Sequence, residues 1–380
     1  MEKIISVTSP LLPPLEEFLP YLEQIWQSKR LTNNGPFHQE LESSLARYLG
    51  VEYLSLFTNG TTALITALQA LGIKGEVITT PYSFVATANA LVWNQLTPVF
   101  VDIDEHTFNI DPEKIEDAIT ANTTAIMPVH CYGNPCDVAA IKDIADRHGL
   151  RIIYDAAHAF GVQDEGGSIL RYGDLSVLSL HATKVFNTFE GGAIISPNAE
   201  TKKHVDQLRN FGFVDEVTVV TSGINGKMSE INAAFGLLQL KHIDHALQRR
   251  QVIDGLYQSL LASTPGIHCG IGSVGYVPNY AYFPVLVCDN YPMTRDELYD
   301  ALKEHNIFAR RYFYPLITAL AAYKEIHSLR RHPTPRAEDV AGKVICLPIY
   351  PDLERIDVER IVSIINGGGR HVGAGNGTFT

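Results

Sequence analysis

One lysine, Lys184, stands where a side chain could do covalent chemistry. It follows an apolar run, Leu175 to Leu180, that is typical of a short buried strand, and it precedes the turn Glu190-Gly191-Gly192. Packing does not require a lysine there, because an ammonium group loses its water when it enters a sheet core. If burial lowers its pKa, the amine becomes a nucleophile that can form a Schiff base with an aldehyde. A lone lysine is more often an ordinary surface residue, so this interpretation depends on the rest of the sequence.

A second candidate is Asn59-Gly60-Thr61-Thr62, which lies between a predicted strand and a predicted helix. Free backbone N–H groups at the start of a helix, together with a glycine and two hydroxyl groups, form a site for an anion. An ordinary helix N-cap explains the same residues. Gly60 and Thr61 therefore become candidate anion ligands only in combination with other features.

Two further candidates follow other predicted strands. Asp155 ends the buried segment Arg151–Asp155, and His158 comes one turn later. A carboxylate at this place can keep a pyridine nitrogen protonated, which makes the ring an electron sink. Phe84 follows the carboxyl end of another strand, where its ring could stack on a planar group. A helix N-cap and core packing are the alternatives for Asp155 and Phe84.

These four features fall at successive strand-to-helix junctions of one predicted sheet. Together they offer a phosphate cradle, a ring stack, a partner for a ring nitrogen and a Schiff-base lysine. These are the parts of a site for pyridoxal 5'-phosphate (PLP). Because one shared site explains the four coincidences better than four separate accidents, the sequence predicts PLP as the cofactor.

Strand-like and helix-like segments alternate from Tyr53 onwards, which predicts an α/β fold with a mostly parallel, seven-stranded sheet in a large domain. Ligands of such sheets collect outside the carboxyl ends of the strands. Helical patterns such as Thr61–Leu71 and Val138–His148 separate several of the strands. The strand-like segments are Tyr53–Phe57, Val77–Thr80, Pro98–Val101, Thr124–Val129, Arg151–Asp155, Leu175–Leu180 and Ala193–Ser196.

After about Leu240 the pattern changes to a long polar helix, His242 to Ala262, followed by a smaller α+β unit. We therefore predict a large PLP-binding domain over residues 1–245 and a small C-terminal domain over residues 246–380. The glycine-rich residues 366–380 are expected to form a flexible tail.

The composition is that of a well-buried globular protein and not of a disordered chain. Hydrophobic residues make up 46% and charged residues 19% of the 380-residue chain. The net charge of −12 argues against nucleic acid or an anionic membrane as a partner. The five cysteines are scattered without a C-x-x-C motif, which predicts reduced thiols and no metal site. No signal-peptide pattern and no apolar run of ~20 residues is present, so we expect a cytoplasmic protein.

From about Leu31 to Pro351 the chain resembles the DegT-type sugar-nucleotide aminotransferases, which are PLP-dependent enzymes of fold type I. Members that replace the active-site lysine by histidine are dehydratases, so the presence of Lys184 favours an aminotransferase. The resemblance rests on the segments Leu31–Pro36, Thr58–Leu64, Pro81–Asn89, Asp155–Gly161, His181–Gly192 and Gly223–Asn232.

The resemblance implies roles for the candidates around the cofactor ring. Lys184 would form the Schiff base and shuttle the proton. Asp155 would pair with the ring nitrogen, and His158 would lie beside the ring at or near its 3-hydroxyl group. Phe84 would stack on the ring. Lys184, Asp155 and His158 are thus the implied catalytic residues.

The resemblance also implies how the phosphate is held. Gly60, Thr61 and Ser179 would bind it within one subunit, and Asn225 would reach it from the neighbouring subunit. The protein would then be a homodimer with shared active sites. The helix-like run Ile231 to Leu240, which follows the Asn225 loop, is apolar enough to pack in such an interface.

The implied reaction moves an amino group from L-glutamate to a nucleotide-linked keto-6-deoxyhexose, in the biosynthesis of deoxyamino sugars for polysaccharides such as O-antigen. The residues around Lys184 most resemble those of family members that act on dTDP-keto-6-deoxyglucose, which favours dTDP-4-keto-6-deoxyglucose as the substrate and amination at C4. Amination at C3 of a dTDP-3-keto sugar is the alternative, and a UDP-linked sugar is also open. Another PLP reaction and a non-catalytic regulator that keeps the fold are the remaining alternatives. Candidate sugar contacts, each also explicable as an ordinary surface or core residue, are Asn34, His181, Arg310 and Tyr314.

Overall fold

The computed structural model describes residues 3–272, 274–329 and 332–367. The predicted flexible tail, 366–380, lies outside the described residues from position 368 onwards. The strands are β1 (Ile5–Ser6), β2 (Tyr53–Phe57), β3 (Glu76–Thr79), β4 (Thr97–Phe100), β5 (Thr123–Ile126), β6 (Arg151–Asp155), β7 (Gln163–Asp164), β8 (Gly167–Ser168), β9 (Leu175–Ser179), β10 (Gly192–Ser196), β11 (Ile267–His268), β12 (Tyr276–Val277), β13 (Phe283–Val287), β14 (Ile307–Phe308) and β15 (Val344–Leu347).

Among the helices within these ranges, none is both long enough and apolar enough to cross a lipid bilayer. Short 3-10 turns lie at Pro112–Lys114, Glu116–Ala118, Cys131–Gly133, Ile169–Arg171 and Ile317–Ala319. The α-helices are α1 (Leu15–Ser28), α2 (Pro36–Leu49), α3 (Gly60–Ala70), α4 (Ala86–Trp93), α5 (Val138–His148), α6 (Ala199–Leu208), α7 (Glu230–Leu261), α8 (Arg295–Glu304), α9 (Ala321–Leu329), α10 (Pro335–Lys343) and α11 (Arg355–Asn366).

Seven strands form the central sheet, in the order β2-β10-β9-β6-β5-β3-β4. Neighbouring strands are parallel except at β10, which runs antiparallel to both β2 and β9. The predicted α/β fold with a mostly parallel seven-stranded sheet is therefore confirmed. Smaller sheets join β11, β13 and β15, and β12, β7 and β8.

The two faces of the central sheet bury different helices, because successive strand residues point to opposite sides. Leu178 and Ala193 pack with α1, α2 and α7, whereas Val177 and Ile194 pack with α3 and α4. Helices cover both faces, as a mostly parallel sheet requires. The carboxyl ends of the parallel strands are left at one edge of this sandwich, where a ligand can reach them.

Helix α7 connects the central sheet to a second core. Phe235 and Leu238 pack with the sheet, whereas Ile253 and Tyr257 pack with β13, β15, α8 and α11. The second core also contains Ile5 of β1, which pairs in parallel with β14. The helix runs without interruption across residue 245. The division into domains of residues 1–245 and 246–380 stays a prediction.

The turn before α2 is held in place by Glu230, the first residue of α7. Asn33 and Asn34 in this turn have positive φ angles of 61° and 57°. The buried Glu230 carboxylate accepts hydrogen bonds from the backbone N–H groups at the start of α2, at 3.0 and 2.8 Å. A Cβ atom on Gly35 would lie 2.5 Å from the carboxyl carbon of Glu230, so a side chain at this position would displace the carboxylate from the start of α2.

Candidate active site

A cavity of about 310 Å³ opens at the carboxyl ends of the central strands. The connections that follow β2, β3, β6 and β9 all contribute to its wall, which is the usual ligand-binding edge of an α/β sheet. The structure thus brings together residues that the sequence analysis selected from distant segments. These are Gly60, Thr61, Phe84, Asp155, His158, Ser179, His181 and Lys184.

The amine of Lys184 lies in this cavity, next to the hydroxyl group of Tyr282, at a long donor–acceptor distance of 3.5 Å. Burial lowers the pKa of Lys184 from 10.5 to about 8, and the negative charge of Asp155 acts in the opposite direction. A larger share of the amine is therefore neutral near pH 7 than for a surface lysine. Lys184 has the protonation behaviour that a Schiff-base nucleophile needs.

Tyr282 is held beside Lys184 by a buried arginine of α7. Arg250 donates from Nη1 to the backbone carbonyl groups of Tyr280 and Ala281, at 3.2 and 3.5 Å. These contacts fix the segment that leads into Tyr282. No local sequence motif marks this tyrosine as a site residue, because its place in the cavity depends on the packing of α7 against β13.

Asp155 ends β6 with its side chain almost fully buried, at 4% exposure. Its Oδ1 accepts a hydrogen bond from the Ala157 backbone N–H at 3.2 Å, and its Oδ2 accepts one from the Thr87 hydroxyl group at 2.7 Å. Burial raises the pKa of Asp155, whereas both hydrogen bonds and the charge of Lys184 act to lower it. The carboxylate is thus available for a protonated ring nitrogen.

His158 presents a neutral imidazole to the cavity. Burial, assisted by the charge of Lys184, holds the pKa of His158 well below its ordinary value. Its Nδ1 accepts the backbone N–H of Tyr132 at 3.3 Å, which assigns the ring proton to Nε2. Phe313 stacks on the imidazole with ring centroids 5.8 Å apart and fixes its plane. His158 can therefore donate a hydrogen bond from Nε2 to an oxygen acceptor.

The start of α3 forms the predicted phosphate cradle. Asn59 caps the helix by accepting the Thr62 backbone N–H at 2.8 Å, which leaves the N–H groups of Gly60 and Thr61 at the cavity. A Cβ atom on Gly60 would lie 3.1 Å from the Cβ of Ser179, so the helix start and the end of β9 approach closely enough for an added methyl group to be crowded. These N–H groups and the Ser179 hydroxyl are donors suited to a phosphate.

Phe84 and His181 line the mouth of the cavity. Phe84 is 58% exposed, so its ring is free to cover a bound planar group. The Nε2 of His181 lies 3.5 Å from the carboxylate of Glu190, and its Nδ1 accepts the Thr183 backbone N–H at 3.2 Å. His181 is therefore oriented within its own loop, at the entrance that a substrate must pass.

Four predicted residues do not line this cavity in the single chain. Asn34 lines a separate, wider groove of about 910 Å³. Asn225 forms a bridge to Asn210, outside the cavity. Arg310 pairs through its backbone with Cys346. Tyr314 is half-exposed and faces the guanidinium groups of neighbouring arginines.

The donor set fits PLP on the structure's own evidence. The helix start at Gly60 suits the phosphate, Asp155 suits the ring nitrogen, and Lys184 suits the aldehyde. No group of three or more potential metal ligands occurs among the described residues. An α/β sheet with these groups at its carboxyl edge defines the class of PLP-dependent transferases.

The chain belongs to the DegT/DnrJ/EryC1/StrS aminotransferase family, whose model matches residues 15–366. This confirms the predicted family, an aminotransferase activity and PLP as the cofactor. Two similar proteins are both named dTDP-4-amino-4,6-dideoxy-D-glucose transaminase. The one from Shigella dysenteriae is 60% identical over 96% of this chain and 99% of its own length. The one from Escherichia coli is 56% identical over the same shares.

The fold is also similar to that of a solved structure, DesI. The crystal structure of DesI, determined in the presence of its TDP-sugar product, superposes with a TM-score of 0.91 at 33% sequence identity. The match covers 97% of this chain and 94% of DesI. The similarity therefore extends over the central sheet, helix α7 and the second core together.

Proposed function

We propose that this protein transfers the amino group of L-glutamate to C4 of dTDP-4-keto-6-deoxyglucose. The names of the two relatives at 60% and 56% identity support this sugar, this nucleotide and this position. The observation that carries the aminotransferase chemistry is Lys184, whose pKa of about 8 results from burial in a cavity shared with Asp155. An amine of this kind can act both as nucleophile and as proton carrier.

Each residue then has a defined task. Bound PLP supplies an electron sink at the carbon that carries the amino group. The neutral Nζ of Lys184 takes the proton from that carbon and carries it to its new position. Asp155 keeps the ring nitrogen positively charged, and His158 donates from Nε2 to the ring oxygen. Phe84 covers the ring, which excludes water from one of its faces.

The second part of the proposal concerns the homodimer. The loop before α7 exposes a series of apolar side chains that a single chain would leave in water, and a two-fold related copy could cover them. Asn225 lies in the same loop, so we propose that it reaches the phosphate of the partner's site. The exposed apolar residues of this loop are Phe211, Phe213, Val214, Val217, Val219, Val220 and Ile224.

We propose the substrate contacts for the same homodimer. His181 stands at the mouth of the cavity of its own chain. Arg310, Tyr314 and Asn34 stay proposed contacts of the sugar nucleotide.

The test of the reaction is product analysis with a panel of keto sugars. Purified enzyme with PLP and L-glutamate is incubated separately with dTDP- and UDP-linked 4-keto and 3-keto-6-deoxyhexoses. We expect mass and NMR spectra to show an amino group at C4 of the dTDP-linked product. Lys184→Ala, which leaves the sheet core intact, serves as the control and should form no product. Amination at C3, or equal turnover of the UDP-linked sugar, would contradict the proposed substrate.

A further inference from the structure

Two buried hydroxyl groups form a chain of hydrogen bonds that ends on the Asp155 carboxylate. Thr87 donates to Asp155 Oδ2 at 2.7 Å, and the Ser83 hydroxyl lies 2.7 Å from that of Thr87. Thr87 is 1% and Ser83 5% exposed, so water does not compete for either contact. Thr87 lies in the first turn of α4, and Ser83 lies in the connection that leads from β3 into this helix.

The direction of each hydrogen bond follows from proton counting. An ionised carboxylate can only accept, so the single hydroxyl proton of Thr87 points to Asp155. The oxygen of Thr87 is then the acceptor for the proton of Ser83. Aligned hydroxyl groups polarise one another, so Ser83 strengthens the bond that Thr87 donates. This hydrogen-bond relay, which runs from Ser83 to Thr87 to Asp155, keeps its direction only while Asp155 carries its charge.

The relay and the backbone together fix both oxygens of the carboxylate. Oδ2 is held by Thr87 and Oδ1 by the Ala157 N–H, which prevents rotation of the group. The charged group across the cavity is Lys184, and it favours the same ionised state. Burial raises the pKa of Asp155, and the hydrogen bonds together with the charge of Lys184 offset part of that effect.

We propose that Thr87, supported by Ser83, is the positioning residue that keeps Asp155 ionised and aimed at the cofactor ring. The proposal rests on the proposed function, because it gives Asp155 a ring nitrogen to hold. Thr87 is not among the residues that line the cavity, so we expect its effect to pass through the Asp155 carboxylate. A purely structural threonine would matter for folding but would leave the electronic state of the cofactor unchanged.

The test compares Thr87→Val, which removes the hydroxyl group at nearly constant volume, with Thr87→Ser, which keeps it. PLP-loaded protein is titrated from pH 5 to 10 while the near-visible absorbance of the Lys184-linked cofactor is recorded. Protons on the ring nitrogen and on the Lys184 nitrogen repel each other through the conjugated system. A weaker Asp155 contact leaves the ring nitrogen less protonated, so the Lys184 nitrogen keeps its proton to higher pH.

We expect Thr87→Val to raise the midpoint of this titration by about 0.4–1 pH unit and to weaken PLP binding roughly two- to tenfold. Ser83→Ala should shift the midpoint in the same direction by less, and Thr87→Ser should stay close to the wild type. Asp155→Asn sets the upper limit of the shift. Circular dichroism checks that each variant is folded.

The outcomes separate this proposal from the function on which it rests. A wild-type protein that takes up no PLP on Lys184 would overturn the proposed function itself. A normal wild type in which Asp155→Asn shifts the midpoint but Thr87→Val does not would overturn only the role of Thr87. Equal shifts in Thr87→Val and Thr87→Ser would assign the effect to packing and would also contradict the proposal.

Discussion

Burial acts on three ionisable side chains of the site in the direction that disfavours their charged forms. It lowers the pKa of Lys184 and of His158, and it raises that of Asp155. Only Asp155 receives hydrogen bonds that counteract the effect, from Thr87 and from a backbone N–H. The site therefore combines an amine that loses its proton near pH 8, a neutral imidazole and a carboxylate supported in its charged state.

The lowered pKa of Lys184 predicts how fast cofactor-free protein captures PLP at different pH values. Only the neutral amine attacks the aldehyde, so the rate should rise about tenfold per pH unit below pH 8 and level off above it. Stopped-flow absorbance of the bound cofactor measures this rate. Binding of pyridoxamine 5'-phosphate needs no attack by the amine and provides the control. A capture rate that still climbs steeply beyond pH 10 would show that Lys184 titrates as a surface lysine.

At the scale of elements, the site depends on how closely the start of α3 approaches the end of β9. The Gly60 backbone can turn its N–H towards the cavity because no side chain separates it from Ser179. Gly192, the first residue of β10, contributes to the same packing. A Cβ atom there would lie 2.6 Å from the Asn59 backbone. The phosphate cradle is thus a consequence of helix-to-strand packing at two glycines.

This packing predicts that Gly60→Ala weakens PLP binding more than it weakens the fold. The new methyl group would meet the Ser179 Cβ at 3.1 Å and push the helix start outwards. We expect a loss of PLP affinity of about tenfold, equivalent to about 1.4 kcal/mol, measured by fluorescence titration.

The matched control is Gly255→Ala on the exposed side of α7, where an added Cβ meets nothing within 4 Å. It should raise the free energy of unfolding by up to ~1 kcal/mol, because alanine favours a helix more than glycine does, and it should leave PLP binding unchanged. If Gly60→Ala binds PLP as tightly as this control, the cradle does not depend on the glycine.

The sequence predicts the strands that carry the site better than it predicts which side chains from distant segments pack beside them. Strands Tyr53–Phe57 and Arg151–Asp155 are predicted to the residue, because short apolar runs with sharp polar ends mark buried strands. Tyr282 and Phe313 reach the cavity only through tertiary packing, and no sequence pattern at either position indicates a place in the site. Thr87 lies in a segment noted for Phe84, yet its contact with Asp155 depends on how α4 packs beside β6.

Helix α7 shows the same limit for a long element. Its sequence predicts two separate helical stretches, an apolar one to Leu240 and a polar one from His242. The structure has one helix of 32 residues, Glu230–Leu261, because its buried stripe continues from one core into the other. The composition of α7 changes from apolar to polar where the helix leaves one core and enters the other. Hydrophobic periodicity alone does not distinguish such a change in surroundings from a break in the helix.

At the scale of the whole molecule, the proposed dimer predicts complementation between two defective chains. An inactive Lys184→Ala chain and a weakened Asn225→Ala chain are mixed and allowed to exchange subunits. In each heterodimer one site then carries both defects and the other site is intact. Random pairing should restore about a quarter of the wild-type activity, since half of the dimers have one intact site.

Assays at limiting PLP give the best contrast, because Asn225→Ala alone is then least active. As a control, a chain that carries both Lys184→Ala and Asn225→Ala is mixed with a chain that carries only Lys184→Ala. Neither chain supplies Lys184, so this mixture should recover no activity. Proven heterodimers without recovery would place Asn225 in the site of its own subunit or in none.

The pairing of β1 with β14 has a consequence for how the protein is made. Ile5 is fully buried in the second core, beside a strand that the ribosome adds about 300 residues later. At typical translation rates this interval is on the order of 15–60 s. During that time the central sheet can already form on the nascent chain, whereas the segment around Ile5 has no partner. We expect a peptide that mimics this segment, added during cell-free translation, to compete for the β14 edge and to lower the yield of folded protein.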